Sequence, residues 1–310
     1  MFIQILAFFS AFCMVIASAM YANKYATNLA RSFNIPSYTI GFIIIAIISI
    51  LPETFIALNS AINKVPEFGF GMLIGSNVID LTIIVALITF ISRRPIKIES
   101  KILKSQIFYP LILIIPIVLG LDGALSRPEG GALVIVGMVF YYFALRQDGE
   151  HIQRDRTQNH IKPFLQLLGS MLLLLVFSNF VVTSATNIAE GFNLSPVLIG
   201  VLIIGIGTAL PELIFSLKAM KERNDELAIG DILGTVLADA TVVVGLLALI
   251  MPFSFPQTII YVAGVFMVTA AFILFSFMYS GKEITPREGF ALMILWVAFV
   301  LIEVIIASTP

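Results

Sequence analysis

Ten stretches of this chain are apolar for long enough to cross a bilayer: residues 2–21, 37–61, 69–92, 104–121, 130–146, 163–184, 196–219, 227–251, 257–279 and 287–307. A helix needs about 20 such residues to span the hydrocarbon. The pattern predicts an all-α, polytopic membrane protein. Composition agrees: of 310 residues, 59% are hydrophobic and 12% charged, where soluble proteins carry about 25% charged residues. Eighteen basic and 19 acidic side chains cannot cover a soluble domain of this length. That argues against a cytosolic enzyme. A net charge of −1 offers no basic surface for nucleic acid. The single cysteine, Cys13, excludes an intramolecular disulfide and a multi-cysteine metal cluster. The first apolar run has no basic residue before it, so it does not read as a signal peptide.

Charge placement predicts the orientation, because Lys and Arg accumulate in cytoplasmic loops. With the N-terminus outside, the inner loops hold 16 of the 18 basic residues, and the outer loops hold only Lys64 and Arg127. Ten helices in the cell membrane with both termini extracellular is the resulting expectation. The most polar stretch, residues 147–162, divides the chain into a first five-helix unit, 1–146, and a second, 163–310. His151 and His160 fall in that cytoplasmic linker, where exposed histidines read as solvated surface.

The two units are copies. Phe33-Asn34 recurs as Phe192-Asn193, Gly41 as Gly200, and Leu51-Pro52-Glu53 as Leu210-Pro211-Glu212. Gly71, Gly75, Asp80 and Thr82 recur as Gly230, Gly234, Asp239 and Thr241. Every pair is 159 residues apart, without a gap. An odd number of helices per copy sends the second copy into the membrane from the other side. Inverted repeats are a transporter architecture, with the substrate near the midplane where the halves meet at broken helices.

Four acidic residues lie well inside predicted spans: Glu53, Asp80, Glu212 and Asp239. A carboxylate at the bilayer centre costs about 2.5–3.5 kcal/mol on insertion scales and reads as a functional site. All the basic residues lie in or near loops, so these carboxylates must be protonated or bind cations. Pro52 and Pro211 directly precede the two glutamates. Each lacks an amide hydrogen, which frees a carbonyl one turn earlier, at Ile48 and Gly207. Ser49 and Thr208 stand four residues before the glutamates, on the same face. Ser76 and Asp80 share a face in the first copy, as Thr235 and Asp239 do in the second. A donor set made only of oxygen suits a hard cation such as Ca2+, Mg2+ or Na+. Asp231 is expected near the cytoplasmic end of its helix, in solvent. Glu303 is expected to snorkel at an outer helix end. Trp296 reads as a packing or lipid-facing residue.

Gly41–Glu53 with Gly71–Asp80, and Gly200–Glu212 with Gly230–Asp239, resemble the α-repeats of the calcium/cation antiporter superfamily, in particular prokaryotic sodium/calcium exchangers. The resemblance implies that Glu53 and Glu212 are the central Ca2+ ligands, helped by Ser49 and Thr208. It adds backbone carbonyls near Ala46 and Gly205. It sets Ser76, Asp80, Thr235 and Asp239 around the central ion or at flanking sodium positions. Transport would alternate access, as a two-helix gate slides against the core. Several positions depart from the family pattern. Ile50 and Ala209 replace serines that serve sodium sites, Ile48 replaces a glycine and Met72 an asparagine. The resemblance favours Na+ as the coupling ion; the departures favour H+, with Ca2+ or Mg2+ as the divalent partner. The implied partners are inorganic cations and the lipid bilayer, with no cofactor. The transport site is complete in one chain. An intramembrane aspartyl protease would leave Glu53 and Glu212 unexplained. A cation channel usually builds its filter from a symmetric oligomer. A pump would need a phosphate-binding glycine-rich loop with a lysine, which the chain lacks.

Overall fold

The computed structural model describes residues 2–31, 49–98, 109–147, 161–192 and 195–308. The linker histidines, Ala46 and Ile48 lie outside these residues. Almost everything described is helical. Among the described residues, seven helices are long and apolar enough to cross a membrane, Pro66–Ser92 and its counterpart Asp225–Ile250 included. The predicted spans 37–61 and 104–121 are described only in part, from Ser49 and Tyr109 onward. Residues 130–146 lie within a further helix, Arg127–Gln147.

The duplication is visible element by element. In the first half, α1 (Phe2–Arg31) is followed by α2 (Leu51–Ile62), α3 (Pro66–Ile79), a wide π-helical turn at Asp80–Ile84, and α4 (Val85–Ser92). Strand β1 (Ile96–Lys97), the short α5 (Tyr109–Ile112) and α6 (Ile115–Leu119), β2 (Ala124–Leu125) and α7 (Arg127–Gln147) complete it. In the second half α8 (Ile161–Phe192) leads to α9 (Pro196–Ile199), a π-helical turn at Gly200–Ile204, and α10 (Gly205–Thr208). Then come α11 (Leu210–Lys221), α12 (Asp225–Ala238), a π-helical turn at Asp239–Val243, α13 (Val244–Ile250), β3 (Phe253–Ser254), α14 (Gln257–Gly281), β4 (Glu283–Ile284) and α15 (Pro286–Ser308). The bounds of α2, α3 and the first π-helical turn plus 159 give those of α11, α12 and the third. Turns repeat as well. Lys64 and Arg223 take left-handed backbone at the same place in each copy, as do Gly123 and Lys282.

Two short ribbons show how the copies are related. β1 pairs with β4, matching Ile96 to Ile284, and β2 pairs with β3, matching Leu125 to Phe253. Each ribbon therefore joins the first copy to the second, and each joins two loops predicted on the same side. The segment between β1 and β2 is one predicted crossing, so β1 and β2 lie at opposite ends. β3 occupies in the second copy the place of β1 in the first, yet it sits beside β2. The second copy is inverted relative to the first.

The long α1 and α8 pack along each other at the margin, with α8 also against α2. Their apolar side chains point outward in numbers, including Leu6, Phe9, Leu172 and Phe180. In a soluble protein that would be a large exposed apolar patch; in a bilayer it is the lipid-facing surface. The centre is different. In α3 and α12 nearly every residue is buried, as befits helices surrounded by other helices.

Candidate cation site

The site is made by the helix starts that follow the two broken segments. The chain turns at Ile50 and again at Ala209, and new helices begin with Pro52 and Pro211 in their first turns. Proline is tolerated there because the first helical amides have no internal acceptor anyway. The position also fixes the glutamates. Glu53 and Glu212 sit in the first turns of α2 and α11, where the helix dipole favours negative charge. Both are buried.

Opposite them stand α3 and α12. Their approach demands glycine. A Cβ at Gly75 would stand 2.4 Å from the Val201 carbonyl oxygen, so α3 presses backbone to backbone on the 200–204 turn of the other repeat. At Gly207, added carbon would overlap the Phe12 ring of α1. Directly after α3 and α12, the π-helical turns begin at Asp80 and Asp239 themselves. Such turns widen a helix, and they are frequent at functional sites.

Every predicted site residue within the described part is buried: Ser49, Glu53, Ser76, Asp80, Gly205, Thr208, Glu212, Thr235 and Asp239. The carboxylates act on one another electrostatically. Asp80 feels Glu53, Glu212 feels Glu53 and Asp80, and Asp239 feels Glu53 and Asp80. Thr208 of the second repeat lies beside the Glu53 carboxylate of the first. Its hydroxyl donates to the Gly205 carbonyl at 3.3 Å, and that oxygen accepts the Ala209 amide too. Both oxygens of Glu212 and of Asp239 lack a hydrogen-bond partner, as do Glu53 Oε2 and Asp80 Oδ1. Buried polar atoms are rarely left so, and unpartnered charges more rarely still. No three Asp, Glu, His or Cys side chains among the described residues are grouped tightly enough to hold a metal by themselves. Any cation held here would need hydroxyl and carbonyl oxygens as well as carboxylates.

The hydroxyls do not behave alike. Ser76 donates to Leu73 of its own helix at 3.1 Å, while Thr235 Oγ1 has no partner. Ser49 donates to Asp231 Oδ1 at 2.9 Å. That bond corrects the expectation that Asp231 is solvated: it is fully buried and acts on Glu53, Asp80 and Glu212. The reason is α12 itself, which is buried from its first turn onward because the rest of the molecule surrounds it. The signal was present in the sequence. Asp231, Thr235 and Asp239 are spaced by four and so form one stripe. Asp225, at the start of α12, is buried as well, but it is neutralised by an ion pair. Arg94 grips it with both guanidinium nitrogens, at 2.6 and 2.8 Å, and the Lys97 amide adds a bond at 2.8 Å. That pairing raises the Arg94 pKa.

Glu303 is a second correction. It is fully buried with both oxygens unpartnered, although it lies near a helix end. α15 packs on α14 and α4, and Glu303 falls on the covered side with Leu292 and Phe299. Trp296 is half-buried, with its indole nitrogen buried and without a partner.

The family described as "Sodium/calcium exchanger protein" matches residues 3–146 and 162–305. Inner membrane protein YrbG of Escherichia coli is 30% identical over 243 residues, covering 73% of this chain and 74% of that protein. Sodium/calcium exchanger MaX1 of Methanosarcina acetivorans is 22% identical over 330 residues, covering 91% and 93%. Among solved structures, the sodium-calcium exchanger NCX_Mj shares the fold with a TM-score of 0.72 at 22% identity, covering 96% of this chain and 97% of that one. The H+/Ca2+ exchanger CAX does so with a TM-score of 0.81 at 14% identity, covering 98% and 85%. With the match running through both halves, this multi-span membrane protein belongs to the sodium/calcium exchanger family.

Proposed function

We propose that the protein is a secondary-active antiporter that exchanges a divalent cation, Ca2+ first, for Na+ by alternating access. The observation that carries this reading is the pair Glu53 and Glu212. Two inverted copies bring them into the interior on equivalent helix starts, with no Lys or Arg hydrogen-bonded or ion-paired to them among the described residues. Buried carboxylates of that kind need positive charge from outside the protein. In support of this reading, Thr208 of one copy lies beside Glu53 of the other, so oxygens of both copies are within one site. Ser49, Asp80, Asp239, Ser76, Thr235 and the carbonyls near Ala46 and Gly205 complete the proposed ligand set. The ion is cargo, so the site needs no resident cofactor, and the protein carries out no bond chemistry. We place it in the cell membrane with the face of Arg94, Lys218, Lys221 and Lys282 toward the cytoplasm, and both termini outside.

A proton-coupled exchanger is the second reading. Ile50 and Ala209 are buried at the positions after Ser49 and Thr208 and supply no side-chain oxygen. The experiment is Ca2+ flux in proteoliposomes, with a Na+ gradient in one arm and a pH gradient in the other. Uptake driven by Na+ supports the first reading, and uptake driven by pH alone replaces it with the second. If neither gradient moves Ca2+, calcium is not the cargo.

A further inference from the structure

We propose that Asp231 and Ser49 form a second cation position, offset along α12 from the Glu53–Glu212 pair, that takes a monovalent metal ion. The proposal rests on the antiport reading, because only a coupled carrier needs a second ion in the same interior.

The side chain of Asp231 is fully buried, and the two oxygens differ. Oδ1 accepts from Ser49, and Oδ2 has no partner. No Lys or Arg bonds to it among the described residues, so the structure does not neutralise it. The duplication does not explain it either. Its counterpart 159 residues earlier is Met72, so a symmetric central site would not include it. The two hydroxyls follow that difference. In the second repeat Thr208 donates to the Gly205 carbonyl of its own helix, whereas Ser49 reaches across the repeats to Asp231.

Place and charge point to the ion. At a rise of about 1.5 Å per residue, Asp231 lies about 12 Å along the helix from Asp239. The offset from Asp239 is toward the Arg94–Asp225 end of α12. No cluster of three acidic, His or Cys side chains surrounds it among the described residues. One carboxylate balances a single positive charge, and the hydroxyl adds a neutral oxygen donor. A divalent ion there would keep an uncompensated charge in a low-dielectric interior. Oxygen donors suit a hard ion such as Na+.

Two substitutions test this. Asp231→Asn keeps an oxygen that can accept from Ser49 but removes the charge. Asp231→Met copies the first repeat. Proteoliposome flux and thermal unfolding of purified protein would be measured with NaCl, KCl or LiCl at constant ionic strength. In both variants the KM for the driving monovalent ion should rise tenfold or more, while that for Ca2+ moves less than threefold. The stabilisation by monovalent salt expected of the wild type should be lost, and that by Ca2+ retained. A wild-type monovalent KM in Asp231→Asn would reduce Asp231 to a structural hydrogen-bond acceptor and overturn the proposal. Equal losses of the Ca2+ and monovalent responses would assign Asp231 to the central site, which also overturns it. So would wild-type flux driven by pH alone with no monovalent stabilisation. If neither variant folds, Asp231→Glu, which keeps the charge but moves it by one methylene, is measured instead, and an unchanged ratio of the monovalent and Ca2+ KM values would sink the idea. The antiport reading fails separately, by wild-type protein that does not respond to Ca2+ or by Glu212→Gln that still does.

Discussion

In the first repeat the Ser76 hydroxyl turns back to its own helix, donating to Leu73; in the second, the equivalent Thr235 hydroxyl has no partner. Glu53 is contacted by Thr208, but neither oxygen of Glu212 has a partner. Met72 in one copy faces the role of Asp231 in the other. The backbones of these copies are nearly superimposable in their element bounds, down to the π-helical turns after Asp80 and Asp239. Duplication has preserved the scaffold, and side-chain divergence has made the two halves chemically unequal. The second repeat carries more of the unsatisfied polarity, so it should respond more strongly to a bound ion.

The glutamates give the largest expected effect. Glu53→Gln and Glu212→Gln should each lower Ca2+ flux at least a hundredfold, about 2.7 kcal/mol at 1.36 kcal/mol per tenfold. Both proteins should remain monodisperse on size exclusion. The comparison sharpens in their stability. Glu212→Gln should raise the thermal midpoint of ion-free protein more than Glu53→Gln, since it relieves two unpartnered oxygens rather than one. Equal midpoints would break the claimed inequality.

Gly75→Ala comes next. The Val201 backbone cannot move aside as a side chain could, so about 1–3 kcal/mol of stability should be lost, as in other overpacked interiors. Thermal unfolding in detergent checks it, and an unchanged midpoint would mean that α3 is not held against the second repeat as described.

Thr208→Val should raise the KM for Ca2+ about tenfold, near 1.4 kcal/mol. Ser49→Ala should affect Ca2+ less, because that hydroxyl is directed to Asp231. The reverse order in flux assays would contradict the crossed arrangement of the two hydroxyls.

The smallest contrast is between Ser76→Ala and Thr235→Val. Ser76→Ala loses a bond within its own helix and should change stability by about 0.5–1.5 kcal/mol, with little effect on affinity. Thr235→Val removes an unpartnered buried hydroxyl and should stabilise the ion-free protein by about 1 kcal/mol while weakening ion binding. A destabilised Thr235→Val would show that this hydroxyl has a protein partner after all.

Much of this was legible in the sequence. Apolar runs of spanning length dictated a helical membrane protein, because no other arrangement there satisfies so many backbone groups within one segment. The 159-residue offset predicted the two copies. The prolines at 52 and 211 implied only a freed carbonyl one turn earlier; the structure shows that new helices start there. Other features required the tertiary structure. Asp231 and Glu303 were misjudged because distance from a helix end is a poor measure of burial: what matters is how many neighbours surround the helix, and that is decided by packing. Two hydroxyls with the same spacing from their glutamates chose different acceptors, a choice made across the repeat interface. Sequence periodicity governs what a segment does along its own axis. Which oxygen meets which across the interface depends on backbones brought into contact at glycines such as Gly75, and only the folded chain makes that contact.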